Sequence, residues 1–488
     1  MKNDSLKRTS INSTIWKLFE RLLAQGVTLI VSILLARLLN PKDYSIVGVI
    51  TIFFNFANLL ISGGLNTALV QKKDADQKDY STVFTSSIIL SITVYFVLFF
   101  FARPISRLYN QPILILAIRI MGLILPINAI KAVYCAKISS ELQFKKFFWA
   151  TLGGTVTSAV VGLTMAYNGC GVWSLIAQNM TNIFIDTAVL AISFPLALKF
   201  KIYKDRLSKL LSYGWKILVS SLIGALYTEL NPLIIGIKFS PTDLSYYTKG
   251  RSFPGLISTV SSNTFAAVLF PVLSKHQDNR EKILNYTRIY VRMSSFLAFP
   301  LMIGLMFVAD NFIVLLLTEK WLPSVPYLRI FCVAFVFDMV NIGNCEAIKA
   351  LGRSDIYLLI EIIKKVLYFA IIGVFFFLSD NPIALTVSFV FCAVVSLVVN
   401  SVPNIFLLGY TVKKQISDLF PNLILSLIMG GVVYLIGKLD IVASAGIVLG
   451  IQIFCGMSSY VLLGVLTKNK SLIYTLSTLK EYLKKQNE

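Results

Sequence analysis

Tyr80-Ser-Thr-Val-Phe-Thr-Ser-Ser-Ile-Ile-Leu-Ser-Ile-Thr-Val-Tyr-Phe-Val-Leu-Phe-Phe-Phe101 runs for 22 residues without a charge. A hydrocarbon layer of roughly 30 Å needs about 20 helical residues to cross it. This stretch therefore reads as one transmembrane helix. Outward from it, similar stretches occupy nearly the whole chain, near 14–38, 44–68, 80–101, 113–135, 147–167, 171–194, 214–238, 251–273, 287–309, 326–349, 356–378, 382–407, 418–437 and 441–466. The expected fold is an all-α integral membrane protein with about 14 transmembrane helices. Hydrophobic residues at 56% against 14% charged exclude an ordinary soluble protein.

Lysine and arginine number 45 against 24 acidic residues, a net charge of +21. The cations lie in turns between apolar spans, so membrane topology and anionic headgroups account for them and nucleic acid is not expected as a partner. With the N-terminus inside, alternate connections hold 25 cations (Lys2 to Lys485) on the inner side and six (Lys42, Arg103, Arg107, Lys249, Lys320, Lys438) on the outer. That asymmetry predicts both termini in the cytoplasm and an uncleaved N-terminus. Six dispersed cysteines and a single histidine, His276, give no metal-ligand spacing and no His-based catalysis. No metal or cofactor is expected.

Two halves repeat. Trp16-Lys17 opens the first span and Trp215-Lys216 the seventh, while Pro41-x-Asp43 and Pro241-x-Asp243 follow at nearly equal distances. Arg21, Gln25, Thr28 and Ser32 share a helical face, and a shift of 199 lands on Ser220, Gly224, Tyr227 and Asn231. The expected division is an N-terminal lobe over 1–194, an amphipathic cytoplasmic linker over 195–213, a C-terminal lobe over 214–408, two further helices over 409–467 and a basic tail over 468–488. Leu472, Leu476, Leu479 and Leu483 give that tail an apolar stripe for surface anchoring.

Ionisable residues inside spans are costly and mark functional positions, unless they only neutralise one another or snorkel. Arg21, Arg119, Lys131, Lys216, Arg251, Arg292 and Arg329 outnumber Glu20, Asp186, Glu229 and Asp338. A hydrated cavity lined by them attracts an anion, and arginine suits phosphate because its fork donates two parallel bonds. Arg21, Arg251, Arg292, Lys216, Arg119 and Arg329 are the candidate diphosphate ligands. Gln25, Thr28, Asn55, Asn58, Tyr227, Asn231 and Asn341 are candidate polar cavity residues, or alternatively interhelical hydrogen-bonding groups. Glu20, Asp186, Glu229 and Asp338 are candidates for ion coupling or charge balance. Asn231-Pro232, Pro126, Pro254, Pro300 and Pro403 can kink their helices. Asp74-Ala75-Asp76, though of D-x-D form, sits in a short lysine-flanked turn and reads as a solvated charge run. No G-x-x-x-x-G-K-[ST] is present.

The residues Leu34-Leu35-Ala36-Arg37-Leu38-Leu39-x-Pro41-x-Asp43-Tyr44 resemble the opening signature of polysaccharide-export flippases. These form the Wzx-like, polysaccharide-transport branch of the multidrug/oligosaccharidyl-lipid/polysaccharide (MOP) superfamily. Ala68-Leu69-Val70, Asp79-Tyr80-Ser81-Thr82-Val83-Phe84, Phe144-Lys145, Gly169-x-Gly171-Val172-Trp173-Ser174-Leu175, Ile234-Ile235-Gly236, Phe270-Pro271-x-Leu273-Ser274 and Phe299-Pro300-Leu301 extend the likeness. The match is dense over about 1–310 and mainly in hydropathy thereafter. Ser45 and Ser245 depart from it, standing where the family usually has glycine beside tyrosine.

The resemblance implies two pseudo-symmetric six-helix lobes plus two C-terminal helices in the bacterial inner membrane. It also implies movement of an undecaprenyl-diphosphate-linked oligosaccharide to the outer leaflet. Alternating access by a monomer is the expected mode, with membrane lipids and the glycan polymerase or export machinery as expected partners. Arg21 and Arg251 take, by position, the place of basic residues that hold diphosphate in the similar lipid II flippases. A multidrug or metabolite antiporter of the same superfamily would instead want a carboxylate-dominated aromatic cavity. A membrane glycan polymerase or ligase would want a large outer loop, and the predicted outer loops are short.

Overall fold

The computed structural model describes residues 25–72, 74–141, 143–194, 196–439 and 444–474. They are mostly helical, and no strand occurs among them. Among the described residues eleven helices are long and apolar enough to cross a membrane, so the chain is a multi-pass membrane protein. Helices stand at the other three expected positions too. α1 (Gln25–Leu38) begins at the edge of the described residues. α10 (Pro241–Ser274) and α14 (Ser354–Leu378) are long but fall outside the eleven. α14 carries three charges, Glu361, Lys364 and Lys365, near its middle.

Contacts divide the chain into two units, Met1–Ser245 and Tyr246–Glu488. In the first, α2 (Pro41–Ser62), α3 (Leu65–Gln71), α4 (Gln77–Leu108), α5 (Ile113–Gly122) and α6 (Ile124–Ser140) precede a helical pair, α7 (Phe144–Tyr167) and α8 (Val172–Ser193), and then α9 (Lys204–Ile234). Leu65, Leu69, Tyr80, Val83, Phe84, Val133 and Leu210 form one apolar core among α3, α4, α6 and α9. α9 approaches α3 at a pair of glycines: a Cβ on Gly64 would lie 2.8 Å from the Gly214 carbonyl oxygen, and one on Gly214 equally close to that of Gly64. Only hydrogen fits between those backbones.

The repeated Pro-x-Asp acquires a physical reason. Asn40 and Asp43 form a capping box with Pro41 as first helical residue of α2. Ser240 and Asp243 make a related cap at α10, where the Asp243 N–H donates to Ser240 Oγ at 3.0 Å and the hydroxyl, rather than a backbone N–H, donates to the carboxylate at 2.6 Å. Such reciprocal bonds satisfy N–H groups that a helix start leaves open. Ser45 and Ser245 are buried one turn on, each hydroxyl donating to the carbonyl three residues back, Lys42 and Thr242, at 2.7 Å. The two departures from the family pattern are thus a matched pair with their polar atoms satisfied locally.

Asp74-Ala75-Asp76 is more than a solvated run. Asp76 is the N-cap of α4, its carboxylate accepting from the Asp79 N–H, and that hydrogen bond first, then Arg206 and Lys72, hold it below the usual carboxylate range. Fully buried Asp79 accepts from Lys72 Nζ. The next residues bind the connection between the halves: Ser81 Oγ accepts from the Lys199 N–H, Thr82 Oγ1 from the Tyr203 N–H, and Thr85 donates to the Lys199 carbonyl. Residues 196–203 are non-helical and lie on α4, whereas Lys204 onward is continuous with the seventh spanning helix. The expected separate amphipathic linker is therefore two things, a strap and the first turns of α9. Past Pro232, α9 closes in a π turn, Ile235–Phe239, the local widening a removed backbone donor favours.

The second unit holds most of α10, then α11 (Arg280–Leu317), a short 3₁₀ turn, α12 (Val325–Phe335), α13 (Asp338–Ala350), α14, α15 (Pro382–Leu408), α16 (Val412–Lys438) and α17 (Ala445–Leu466). α11 packs on α12, α13, α16 and α17, and α15 on α12, α13 and α14. Large apolar side chains such as Phe377, Leu378 and Phe406 are more than 75% exposed, as expected where lipid replaces water outside the bundle.

Candidate functional site

A cavity of about 590 Å³ lies within the first unit between α2–α3 and α6. Its polar lining comes from Asn58, Asn66, Asn128 and Lys131 together with Ser62, Thr67 and Ser139. It occupies the ends of these helices nearest the lysine-bearing turns around 72–78 and 137–146. Asn128 Nδ2 donates to Asn58 Oδ1 at 3.1 Å, fixing both amides across α6 and α2. Asn66 is 8% exposed, yet neither its Oδ1 nor its Nδ2 has a hydrogen-bond partner. A buried unsatisfied amide costs about 1–3 kcal/mol per group, and this one belongs to a residue that lines the cavity.

Lys131 supplies the charge. Its Nζ lies 2.6 Å from Asp186 Oδ2 on α8, with the two side chains 24% and 5% exposed. Asp186 fits because α7 carries glycine opposite: a Cβ on Gly154 would fall 1.9 Å from Asp186 Oδ1. Asp186 is thus the local counterion of Lys131, with its second oxygen unpartnered. A second tie joins α2 to α9, where Asn55 Nδ2 donates to Glu229 Oε1 at 2.9 Å. Tyr227 and Asn231 stand on that helix, Asn231 fully buried beside Pro232. Gln25 and Thr28 lie on α1, half-buried and exposed respectively. Glu20 and Arg21 lie outside the described residues.

The remaining candidates are dispersed. Lys216 is exposed on α9 beside exposed Trp215. Arg119 stacks on the Phe99 ring at 4.1 Å, leaving its buried Nε without a partner. Arg329 is paired with Asp310. In the second unit Arg251 sits over the rings of Phe389, at 5.7 Å, and Phe331, at 6.0 Å. Asp338 on α13 accepts from Ser258 Oγ on α10 at 2.6 Å. Arg292 donates from Nε to Asp418 Oδ1 at 2.7 Å, while Arg288 binds the same carboxylate through Nε and Nη2. Asn341 accepts from Asn400 at 3.2 Å, part of an asparagine ladder in which Asn344 and Asn404 make the next rung. That is the interhelical role such residues take in lipid.

Asn128, Arg288 and Asp418 escaped the sequence reading. Arg288 and Asp418 fall at predicted span edges, where charge reads as interfacial; the four-residue step from Arg288 to Arg292 was the available signal. Asn66 was visible only as the last member of the stripe Asn55, Asn58, Ser62, Asn66. Its lack of a partner is a tertiary property.

Comparison with known proteins follows the same lines. An uncharacterised membrane protein of the cps region in Klebsiella pneumoniae is 23% identical over 400 residues, covering 80% of this chain and 81% of that one. The lipopolysaccharide biosynthesis protein WzxC of Escherichia coli is 24% identical over 373 residues, covering 75% and 74%. Among solved structures the lipid II flippase MurJ in its inward closed conformation shares the fold, with a TM-score of 0.73 at 16% identity over 94% of this chain and 99% of MurJ. The sequence profile of the family described as polysaccharide biosynthesis protein matches residues 34–326, more than half the chain. The chain belongs to that polysaccharide biosynthesis protein family.

Proposed function

We propose that this protein flips an undecaprenyl-diphosphate-linked oligosaccharide, the repeat unit of an O-antigen, capsule or exopolysaccharide, from the cytoplasmic to the outer leaflet by alternating access. The reading rests on one observation above the others: an open cleft on an apolar helical unit, lined by three asparagines and a lysine, with one of those amides left without a partner. Sugars present hydroxyls that both donate and accept, and amides match both roles. A polar headgroup cannot cross roughly 30 Å of hydrocarbon unaided, because each unsatisfied polar group costs several kcal/mol there. Family membership and the names carried by its relatives support the same substrate class.

Lys131 is proposed to meet the diphosphate, with Arg21 as a second partner carried by the family resemblance. Asn58, Asn66 and Asn128 take the first sugars. Asp186 and Glu229 balance charge. No covalent bond is made or broken in this scheme. The excess of lysine and arginine on alternate connections supports two cytoplasmic termini in the bacterial inner membrane, and one chain suffices for the cycle. In the antiporter reading the cavity wall would carry carboxylates for a cationic drug, and the residues lining the cavity include none.

The test is genetic. Cells carrying Asn66→Leu or Lys131→Ala in place of the native protein, at equal membrane abundance, are expected to accumulate lipid-linked repeat units and lose surface glycan. Normal surface glycan in both variants would remove the cavity from the transport path.

A further inference from the structure

We propose that a second pocket, enclosed by α11, α16, α17 and the chain just beyond α17, holds the phosphate headgroup of one anionic phospholipid as a resident ligand. This pocket measures about 500 Å³ and has two faces. Arg288, Arg292, Lys468 and Lys470 face it with Asp418 as the one acidic residue in its lining; Phe420, Ile424, Leu425, Ile428 and Leu463 form the apolar wall. Four cations against one anion leave a surplus of three. Phe420, Ile424 and Ile428 are each at least 39% exposed, so the wall continues onto a surface suited to an acyl chain.

The site is built rather than incidental. Asp418, only 4% exposed, holds the two guanidiniums side by side with three hydrogen bonds of 2.7–3.0 Å, and Tyr410 donates to the same carboxylate at 3.0 Å. Arg292 uses only Nε in that pairing; its two Nη groups have no hydrogen-bond partner among the described residues. A guanidinium fixed through Nε with both Nη groups open presents the fork that a phosphate oxygen pair accepts.

The pocket's far wall is equally anchored. Asn469 Nδ2 donates to Asn422 Oδ1 at 3.0 Å, and Asn469 Oδ1 accepts from the Ser471 N–H at 2.8 Å. Asn422 in turn donates to Ser295 Oγ and to the Arg292 carbonyl. Leu472 fills the notch at Gly464, where a Cβ would come within 3.0 Å of it. This pins Lys468 and Lys470 beside the arginines. The start of the tail is thus part of the pocket, and Arg292 serves a standing ligand rather than the transported one.

The test uses the full-length protein in detergent, with phosphatidylglycerol, phosphatidylcholine and undecaprenyl phosphate as separate probes, and native mass spectrometry reading the tightest bound lipid. The account expects one phosphatidylglycerol bound at least about tenfold more tightly than phosphatidylcholine. Arg288→Gln/Arg292→Gln/Asp418→Asn should weaken it by about 30-fold, from roughly fivefold per cationic contact. Lys468→Gln/Lys470→Gln leaves the Asp418 pairing intact and should weaken it similarly, so the proposal stays testable if the triple variant fails to fold. Equal affinity for the two phospholipids, or unchanged phosphatidylglycerol affinity in the lysine variant, overturns it. Tight undecaprenyl phosphate binding without phosphatidylglycerol binding also overturns it, because the pocket would then belong to the transported lipid. None of these readings depends on whether the protein flips glycolipids.

Discussion

Replacing Lys131 and Asp186 singly and together separates what holds the first unit's cavity from what the cavity binds. At 2.6 Å the gross attraction is about 6 kcal/mol with an effective dielectric near 20, most of it offset by desolvation. Removing one partner forfeits the attraction and leaves the other charge stranded, which costs about 3–5 kcal/mol. Asp186→Ala strands Lys131; Lys131→Ala strands Asp186, the more buried of the two. The double variant strands neither, so its loss should fall short of the sum of the singles by about 2–3 kcal/mol. Thermal unfolding of purified protein in nanodiscs measures this cycle, and additive losses would refute the pairing. Glycan export measured on the same four proteins adds the functional half. The double variant should regain stability but not export, since it lacks the cation proposed for the diphosphate. Recovery of both would reduce Lys131 to a structural residue.

Other consequences are independent of that pair. Asn66→Leu should leave stability unchanged or raise it by about 1–3 kcal/mol, because a buried amide without partners is removed, while export falls; thermal stability and surface glycan are read together. Gly214→Val should disrupt the α3–α9 crossing, since its Cβ would sit 2.8 Å from a backbone carbonyl that cannot swing away; limited proteolysis in the 196–203 strap should become faster. Asp76→Ala should cost about 1 kcal/mol of α4 capping. Because the folded state holds the Asp76 carboxyl below its usual value, this contribution is present above about pH 4 and fades as pH falls through the lower folded value. The stability difference between Asp76→Ala and the native protein should therefore shrink in acid.

Much of the fold was legible because membrane burial imposes one rule on every span: about 20 apolar residues with internal backbone hydrogen bonding. Charge in the turns then orders the spans without tertiary information. The Pro41-x-Asp43 and Pro241-x-Asp243 repeat was legible for a local reason, since a capping box needs only four consecutive residues. The site was legible in part. Asp186 and Lys131 stood out as intramembrane charges, but not that they meet, because 55 residues separate them and the Gly154 notch that seats Asp186 belongs to a third helix. Arg292 looked like a substrate ligand from its place in a span; its commitment to Asp418 depends on α16 lying against α11, which periodicity does not encode. Asn341 shows the same limit, as helix geometry gives the face a residue occupies but not whether that face meets water or another asparagine. The expected amphipathic linker over 195–213 divides at Lys204 into strap and helix, because the alternating lysines and apolar residues of 196–203 suit either an interface or an extended segment laid on α4.

The most direct measurement is headgroup accessibility in sealed liposomes that contain the purified protein and an undecaprenyl-diphosphate oligosaccharide distributed over both leaflets, probed by an impermeant glycosidase outside. With the native protein nearly all headgroups should become cleavable, whereas with Lys131→Ala or Asn66→Leu cleavage should stop near the half initially facing outward. Cleavage that stops at half with the native protein, or goes to completion with both variants, would contradict transport through this cavity.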